Sequence, residues 1–274
     1  MPTSWKLSFT AKDSAAAEAA LEAFGATLWA TTQAKGGTRF EVYFDGQPDL
    51  TTLDLPADAK QQLAALPDKD WVAESQSGLP PVVAPPFHLH GTHDAPRRGG
   101  WRNIEMQAGA AFGTGHHGTT LGCLMLLSDM LKQHTPRRVA DIGCGSGVLA
   151  IAAAKAGCHA VLASDNDPLA VAVARENARL NHVASRVRCF TATGMAHPTY
   201  HGRRFDLILA NILAAPLRHL ASDFDRHLSP RGRLIVAGLM DEQARAVIAR
   251  YRGIGLLVEQ KISIGAWTSL CFKR

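Results

Sequence analysis

The strongest chemical signal in the chain is Asp141-Ile142-Gly143-Cys144-Gly145-Ser146-Gly147. The run follows apolar Val139-Ala140 and precedes Val148-Leu149-Ala150-Ile151, so its glycines occupy a strand-to-helix turn. Glycines there let the backbone approach a ligand closely, and the N-terminus of the following helix is positive. The spacing is G-x-G-x-G, not the G-x-G-x-x-G of a dinucleotide turn, and no Gly-Lys-Ser/Thr follows it. A pyrophosphate would be repelled by the acid that opens the loop; a ligand carrying an amino group would not. The bland alternative is a tight structural turn. Asp165 weighs against it. It ends the next apolar run, 18 residues past Gly147, where a carboxylate can accept from both hydroxyls of a ribose. Asp167, two residues on, reads as a helix cap before Pro168. A nucleoside with an amino-acid tail and no phosphate satisfies both carboxylates, and S-adenosylmethionine is such a molecule.

The elements that must position these residues are legible as an α/β alternation from about residue 106. Strands are expected at Arg137 to Ile142, Ala160 to Ser164, Val187 to Thr191, Phe205 to Ala210 and Arg233 to Ala237. Helices are expected at Val148 to Ala156, Asp167 to Asn181, Pro216 to Leu228 and Asp241 to Tyr251. The last two strands, Leu256 to Ile262 and Trp267 to Phe272, follow each other through a short Gly265 turn, so they form an antiparallel pair at one edge. This pattern predicts a Rossmann-like, mostly parallel doubly wound sheet. Residues 1–67 read instead as a small α+β ferredoxin-like unit. Its strands are Ser4 to Thr10, Thr27 to Thr32 and the alternating Phe40, Val42 and Phe44. A helix capped by Asp13 and ended by Gly25 lies between the first two, and a second helical stretch runs from Pro56 to Leu66. Residues 68–105, with Pro80-Pro81, Pro85-Pro86, Pro96 and Gly99-Gly100, read as a linker.

Composition narrows the class. Of 274 residues, 46% are apolar and 19% charged, which excludes a disordered chain, a collagen and a coiled coil. The net charge of +5 is uneven. Residues 1–70 hold 6 basic and 10 acidic residues (net −4), and residues 71–274 hold 23 and 14 (net +9). The five cysteines include no CxxC pair, so free thiols in a reducing compartment fit better than a disulfide framework or zinc ribbon. No apolar run is long enough to span a membrane and no signal peptide is visible. A cytoplasmic protein is expected.

Three segments resemble one family of class I S-adenosylmethionine-dependent methyltransferases, the PrmA-type methyltransferases of large-subunit ribosomal protein eleven. They are Ala111-Phe-Gly-Thr-Gly-His-His-Gly-Thr-Thr120, Asp141 to Ala152, and Ala210-Asn-Ile-Leu-Ala-Ala-Pro-Leu217. The first and third are more diagnostic than the glycine loop, which many methyltransferases share. The resemblance is good over residues 68–274 and covers 1–67 mainly in size and layout. It implies a substrate-recognition domain (1–67), a linker (68–105) and a catalytic domain (106–274). It also implies methylation of lysine ε-amines and the N-terminal α-amine of a basic ribosomal protein, free or on the large subunit. Carried over by residue, it places Thr120, Asp141, Gly143, Gly145, Asp165 and Asn211 at the cofactor, with Asn211 also beside the methyl group as the catalytic side chain. The family's loop usually reads Gly-Thr-Gly-Thr-His-Pro-Thr-Thr; here His116 and Gly118 replace Thr and Pro. That leaves the roles of His116 and His117 and the loop conformation open.

Methyl transfer to an amine needs no metal and no nucleophilic side chain, and none is assigned. His117 is a candidate base only by its place in the motif. His88, His90 and His93 have a spacing that could hold a metal, but no acid or cysteine supports one. Phe112 could pack against a ligand or equally be a core aromatic, and Cys144 reads as a small buried thiol. The +9 body suggests proximity to ribosomal RNA. No membrane partner is indicated, and a monomer is expected. Alternative readings are a lysine methyltransferase acting on another protein, such as an electron-transfer flavoprotein subunit, an RNA methyltransferase, and a nucleoside-binding module without catalysis. Base-amine methyltransferases commonly carry Asn/Asp-Pro-Pro-aromatic where this chain has Asn211-Ile-Leu-Ala214, which lacks the stacking aromatic.

Overall fold

The computed structural model describes residues 4–24, 29–34, 36–57, 59–66, 81–92, 94–106 and 117–274. The chain divides into two compact units, Met1–Trp71 and Val72–Arg274.

The first unit is a four-stranded antiparallel sheet in the order β2-β3-β1-β4, formed by β1 (Ser4–Ala11), β2 (Trp29–Ala34), β3 (Gly37–Asp45) and β4 (Gln62–Leu66). Helix α1 (Ser14–Phe24) follows β1. The Asp13 carboxylate accepts from the Ala16 N–H at 3.0 Å, which caps that helix as expected. Alternation in β1 sends Leu7, Phe9 and Ala11 into a core with Ala17, Leu21, Phe40 and Val42, where the Phe9 and Phe40 rings stack at 5.0 Å. The strand order is that of a ferredoxin-like plait. The expected second helix from Pro56 to Leu66 is corrected: Gln62–Leu66 is β4, paired antiparallel to β1. Ala64 and Ala65 favour a helix locally, but the open edge of β1 supplies hydrogen-bond partners that a short helix would leave unused. A 3-10 turn at Leu50–Thr52 stands in the connection.

The second unit contains a seven-stranded sheet in the order β10-β9-β8-β11-β12-β14-β13. Its strands are β8 (Arg138–Ile142), β9 (Ala160–Asp165), β10 (Val187–Thr191), β11 (Phe205–Asn211), β12 (Leu228–Met240), β13 (Leu257–Ile264) and β14 (Trp267–Lys273). Strands β8 to β12 run parallel, and β14 is antiparallel to both β12 and β13. Alternate residues of the sheet feed two cores. Val139, Leu207 and Leu209 face α2 (His117–Leu131), α3 (Val148–Lys155) and α4 (Pro168–Leu180). Ala140, Ile208 and Ala210 face α5 (Ala214–His227) and α6 (Asp241–Arg252). The Asp167 cap and Pro168 start of α4 are as expected, with the carboxylate accepting from Leu169 N–H at 2.8 Å.

Two features differ from expectation. Helix α2 stands where the α/β alternation above predicts no element, with Cys123, Leu124, Leu127 and Met130 buried along it. The supposed linker 68–105 carries a three-stranded sheet of β5 (Val82–Ala84), β6 (Phe87–Gly91) and β7 (Arg102–Met106). Pro85-Pro86 forms the β5–β6 turn rather than breaking a strand. Phe87, Leu89, Ile104 and Met106 are buried in the same core as α2, and each such side chain contributes about 1.5–3 kcal/mol.

Candidate functional site

In an open parallel sheet a ligand binds past the carboxyl ends of the strands, where the strand order reverses. Here the reversal lies between β8 and β11, so the ends of β8, β9 and β11 form the crevice. Gly143, Asp165 and Asn211 occupy those ends.

Main-chain bonds fix the glycine loop to the end of β9. The N–H groups of Gly143 and Cys144 both donate to the Ser164 carbonyl, at 2.8 and 3.0 Å. Buried Tyr200 donates its hydroxyl to Ser164 Oγ at 2.7 Å, holding the same residue from behind. Asn177 of α4 donates to the Ser146 carbonyl at 3.0 Å. Gly143 has φ +70°, and a Cβ there would lie 2.3 Å from Cγ2 of Ile212. Gly238 of β12, with φ +83°, would place a Cβ 2.4 Å from the Ile212 carbonyl oxygen. Ile212 is thus clasped between the ends of β8 and β12, which sets where its neighbour Asn211 stands.

The Asp165 carboxylate accepts from Gly145 N–H at 2.8 Å and from Asp167 N–H at 3.1 Å. An ionised carboxylate has about four acceptor positions, so, counting the described residues, two remain for a vicinal diol. Asp141 is buried, and its Oδ2 accepts from Ala150 N–H at 2.9 Å, bridging the two sides of the loop. Burial pushes its carboxyl up to about 7; the Ala150 N–H opposes that shift and the nearby Asp165 charge adds to it. The folded pKa exceeds the ordinary carboxylate value, so the fold holds a proton that the unfolded chain releases. Stability from this group is therefore full below about pH 4 and is lost as pH rises to about 7. Asp141→Asn should gain on wild type in melting temperature steadily between about pH 4 and pH 7.5; parallel melting curves across that range would reject the buried titration.

Asn211 donates from Nδ2 to Oγ1 of buried Thr119 at 3.2 Å. Its Oδ1 receives no hydrogen bond among the described residues, so it stands as an acceptor beside the end of β11. Thr119 was missed by sequence reasoning, which selected its neighbour Thr120. Its only signal was membership of the same motif. Thr120 is half-buried on the first turn of α2. Phe112 and His116 lie outside the described residues, as does His93. His88 and His90 are buried, their rings stacked at 5.0 Å, and His88 pairs with Asn103 at 2.9 Å. Among the described residues no three metal-ligating side chains converge. All five cysteines are free and buried, and burial beside Asp141 pushes the Cys144 thiol far up, which makes it a poor nucleophile.

The site therefore offers a carboxylate with two open acceptor positions at a strand end, a second carboxylate under a glycine turn, and an amide acceptor across the crevice. This set of acceptors fits S-adenosylmethionine: a diol matches the open positions of Asp165, and an ammonium group beside Asp141 would favour its ionised form.

Comparison with known proteins agrees with that chemistry. A family model described as Ribosomal protein L11 methyltransferase (PrmA) matches residues 6–274. A ribosomal protein L11 methyltransferase of Bradyrhizobium diazoefficiens is 54% identical over 208 residues, 75% of this chain and 70% of that protein. One from Rhodopseudomonas palustris is 50% identical over 216 residues, 78% and 73% of the two chains. The crystal structure of a ribosomal protein L11 methylase from Lactobacillus delbrueckii subsp. bulgaricus superposes with a TM-score of 0.63 at 30% identity, covering 71% of this chain and 98% of that one.

Proposed function

The chain belongs to the ribosomal protein L11 methyltransferase family, and from that premise we propose that it methylates lysine ε-amines and the N-terminal α-amine of ribosomal protein L11. The enzyme is an S-adenosylmethionine-dependent methyltransferase. The observation that carries the finer reading is Oδ1 of Asn211 at the end of β11, which receives no hydrogen bond among the described residues and is an acceptor suited to an amine; the following Ile212-Leu213-Ala214 offers no aromatic on which a planar base would stack.

Asp165 would hold the ribose and the Gly143 and Gly145 backbone the floor of the site; Asp141, its buried carboxyl pushed up to about 7, would face the amino-acid end and give up its proton as the cofactor's ammonium group arrives beside it. Thr120 would contact the methionine end. The cofactor supplies a methyl group on a positively charged sulfur, so the acceptor is the difficulty. A lysine amine with pKa about 10.4 is neutral in roughly one molecule in 2,500 at pH 7, a cost of about 4.6 kcal/mol. A half-buried crevice lowers that cost by disfavouring the ammonium form. The lost proton passes to solvent before transfer, and Asn211 then aims the lone pair. The acidic N-terminal unit, net −4, would attract a lysine-rich substrate. We place the reaction in the cytoplasm, where ribosomal proteins are made; among the described residues no helix is long and apolar enough to cross a membrane.

Mass spectrometry of purified L11 after incubation with enzyme and cofactor tests the proposal. Increments of about 14 Da on amine-bearing peptides are expected. An unmodified protein, or modification confined to glutamine or carboxylate side chains, rejects it.

A further inference from the structure

The pole of the large sheet opposite the crevice is a second charged surface, and methyl transfer does not use it. Asp206, at the start of β11, gathers three strand starts. Its Oδ2 accepts from the N–H groups of Arg137 and Arg138 at 3.1 and 3.0 Å, and its Oδ1 accepts from Ser229 Oγ at 3.1 Å. The end of α5 is brought to the same place: Arg204 Nη1 donates to the Leu228 carbonyl at 3.0 Å, and His227 Nδ1 lies 2.9 Å from the Arg203 carbonyl. A cleft of about 540 Å³ lies here, lined by His201, Arg203, Arg204, Asp223, Arg226 and His227. The guanidinium groups of Arg137, Arg138 and Arg231 stand on neighbouring strand starts, all exposed. The carboxylates are already engaged: Asp206 as above, Asp223 with Arg226, and Asp225 with Arg274. Arg137, Arg203 and Arg231 make no side-chain ion pair or hydrogen bond among the described residues.

We infer that this pole binds the phosphodiester backbone of RNA. Arginine is the side chain whose planar fork matches phosphate oxygens, and the cations extend across three strand starts and a helix end, a span that suits several successive phosphates rather than one. Within residues 201–206 and 223–231 no large apolar side chain is exposed, so the face lacks what a lipid surface requires for insertion. Strand β8 runs from Arg138 to Ile142, so Arg138 lies five positions before Gly143 of the glycine loop, about 16 Å at the usual rise per residue, and bound RNA would leave the crevice clear. The choice of RNA over DNA rests on the ribosomal-protein reading above; the phosphate-binding face itself does not.

The test uses full-length enzyme and a fluorescent 30-nucleotide RNA hairpin, read by anisotropy. Wild type should bind, and the affinity should fall with salt with a log–log slope of about −2 to −3, as expected when three or four phosphates are neutralised. Arg137→Glu/Arg203→Glu/Arg231→Glu should bind at least tenfold more weakly, while cofactor binding and methyl transfer to free L11 stay within twofold of wild type. If the triple charge reversal fails to fold, the Arg→Gln triple replaces it, with at least a threefold loss expected. Absence of binding by wild type at 50 mM salt overturns the proposal, as does equal binding by a folded variant. Tighter binding to duplex DNA, or to vesicles containing phosphatidylglycerol, overturns the assignment to RNA. Failure of the methyl-transfer reading would show separately, as an unmodified L11 in the same preparation.

Discussion

Asp165→Ala is expected to weaken S-adenosylmethionine binding by about 100-fold or more. A hydrogen bond to a charged group is worth about 1.5–3 kcal/mol, and the open acceptor positions of Asp165 can take two, one from each ribose hydroxyl. The same carboxylate accepts from Gly145 and Asp167 N–H, so alanine also releases the glycine loop from the end of β9. Asp165→Asn separates the two effects. It keeps one acceptor oxygen but turns an amide N–H₂ toward backbone donors, so an intermediate loss, about 10- to 50-fold, is expected. Titration calorimetry with S-adenosylhomocysteine and with its 2′-deoxy analogue gives the decisive comparison. Removing the hydroxyl should weaken binding to wild type by tenfold or more and leave binding to Asp165→Ala nearly unchanged. If both enzymes lose affinity equally for the deoxy compound, the ribose is held elsewhere.

The contrast between Asp165 and Asn211 shows how much of the site is written locally. The glycine loop and Asp165 could be found by spacing, because a strand, a tight turn and a following helix are set by residues near one another in the chain. The role of Asn211 came only through resemblance. Its structural meaning lies in a bond to Thr119, 92 residues away, and in the clasp of Ile212 between Gly143 and Gly238. No periodicity encodes such long-range contacts. The same limit explains the misread elements. Gln62–Leu66 is alanine-rich and favours a helix in isolation, yet the unpaired edge of β1 draws it into the sheet. Pro85 and Pro86 suggested a structureless segment, yet they turn β5 into β6 while the flanking Ala84 and Phe87 are buried. Helix α2 lacks a polar face, so its apolar residues show little amphipathic contrast; its inner position behind the sheet is what makes it helical and buried.

Asn211→Ala should lower kcat for L11 methylation by about 100-fold while changing the Kd for S-adenosylmethionine much less than Asp165→Ala does. Losing one preorganised hydrogen bond to a reacting group costs about 2.7–4 kcal/mol in other enzymes, and here Oδ1 of Asn211 is the acceptor that would orient the amine. Orientation and deprotonation make different demands on pH. The neutral fraction of a lysine amine rises about tenfold per pH unit below its pKa, so the wild-type rate should climb with pH. If Asn211 only aims the lone pair, the alanine variant should show the same slope at a lower level. A flattened slope would instead mean that Asn211 helps remove the proton. Asn211→Asp adds a third comparison: a carboxylate stabilises the ammonium form, so its rate should stay low and its pH profile should shift upward. Thr119→Val removes the hydroxyl that receives Nδ2 while leaving Asn211 in the sequence, and a loss of about 5- to 20-fold, mostly in kcat, is expected from the freed amide. An unaltered kcat in Thr119→Val together with a large loss in Asn211→Ala would mean that Asn211 is positioned by Ile212 and its two glycine neighbours alone. Equal losses in both would make the Thr119 bond the feature that sets the acceptor, because a side chain without a fixed direction offers the amine no preferred approach.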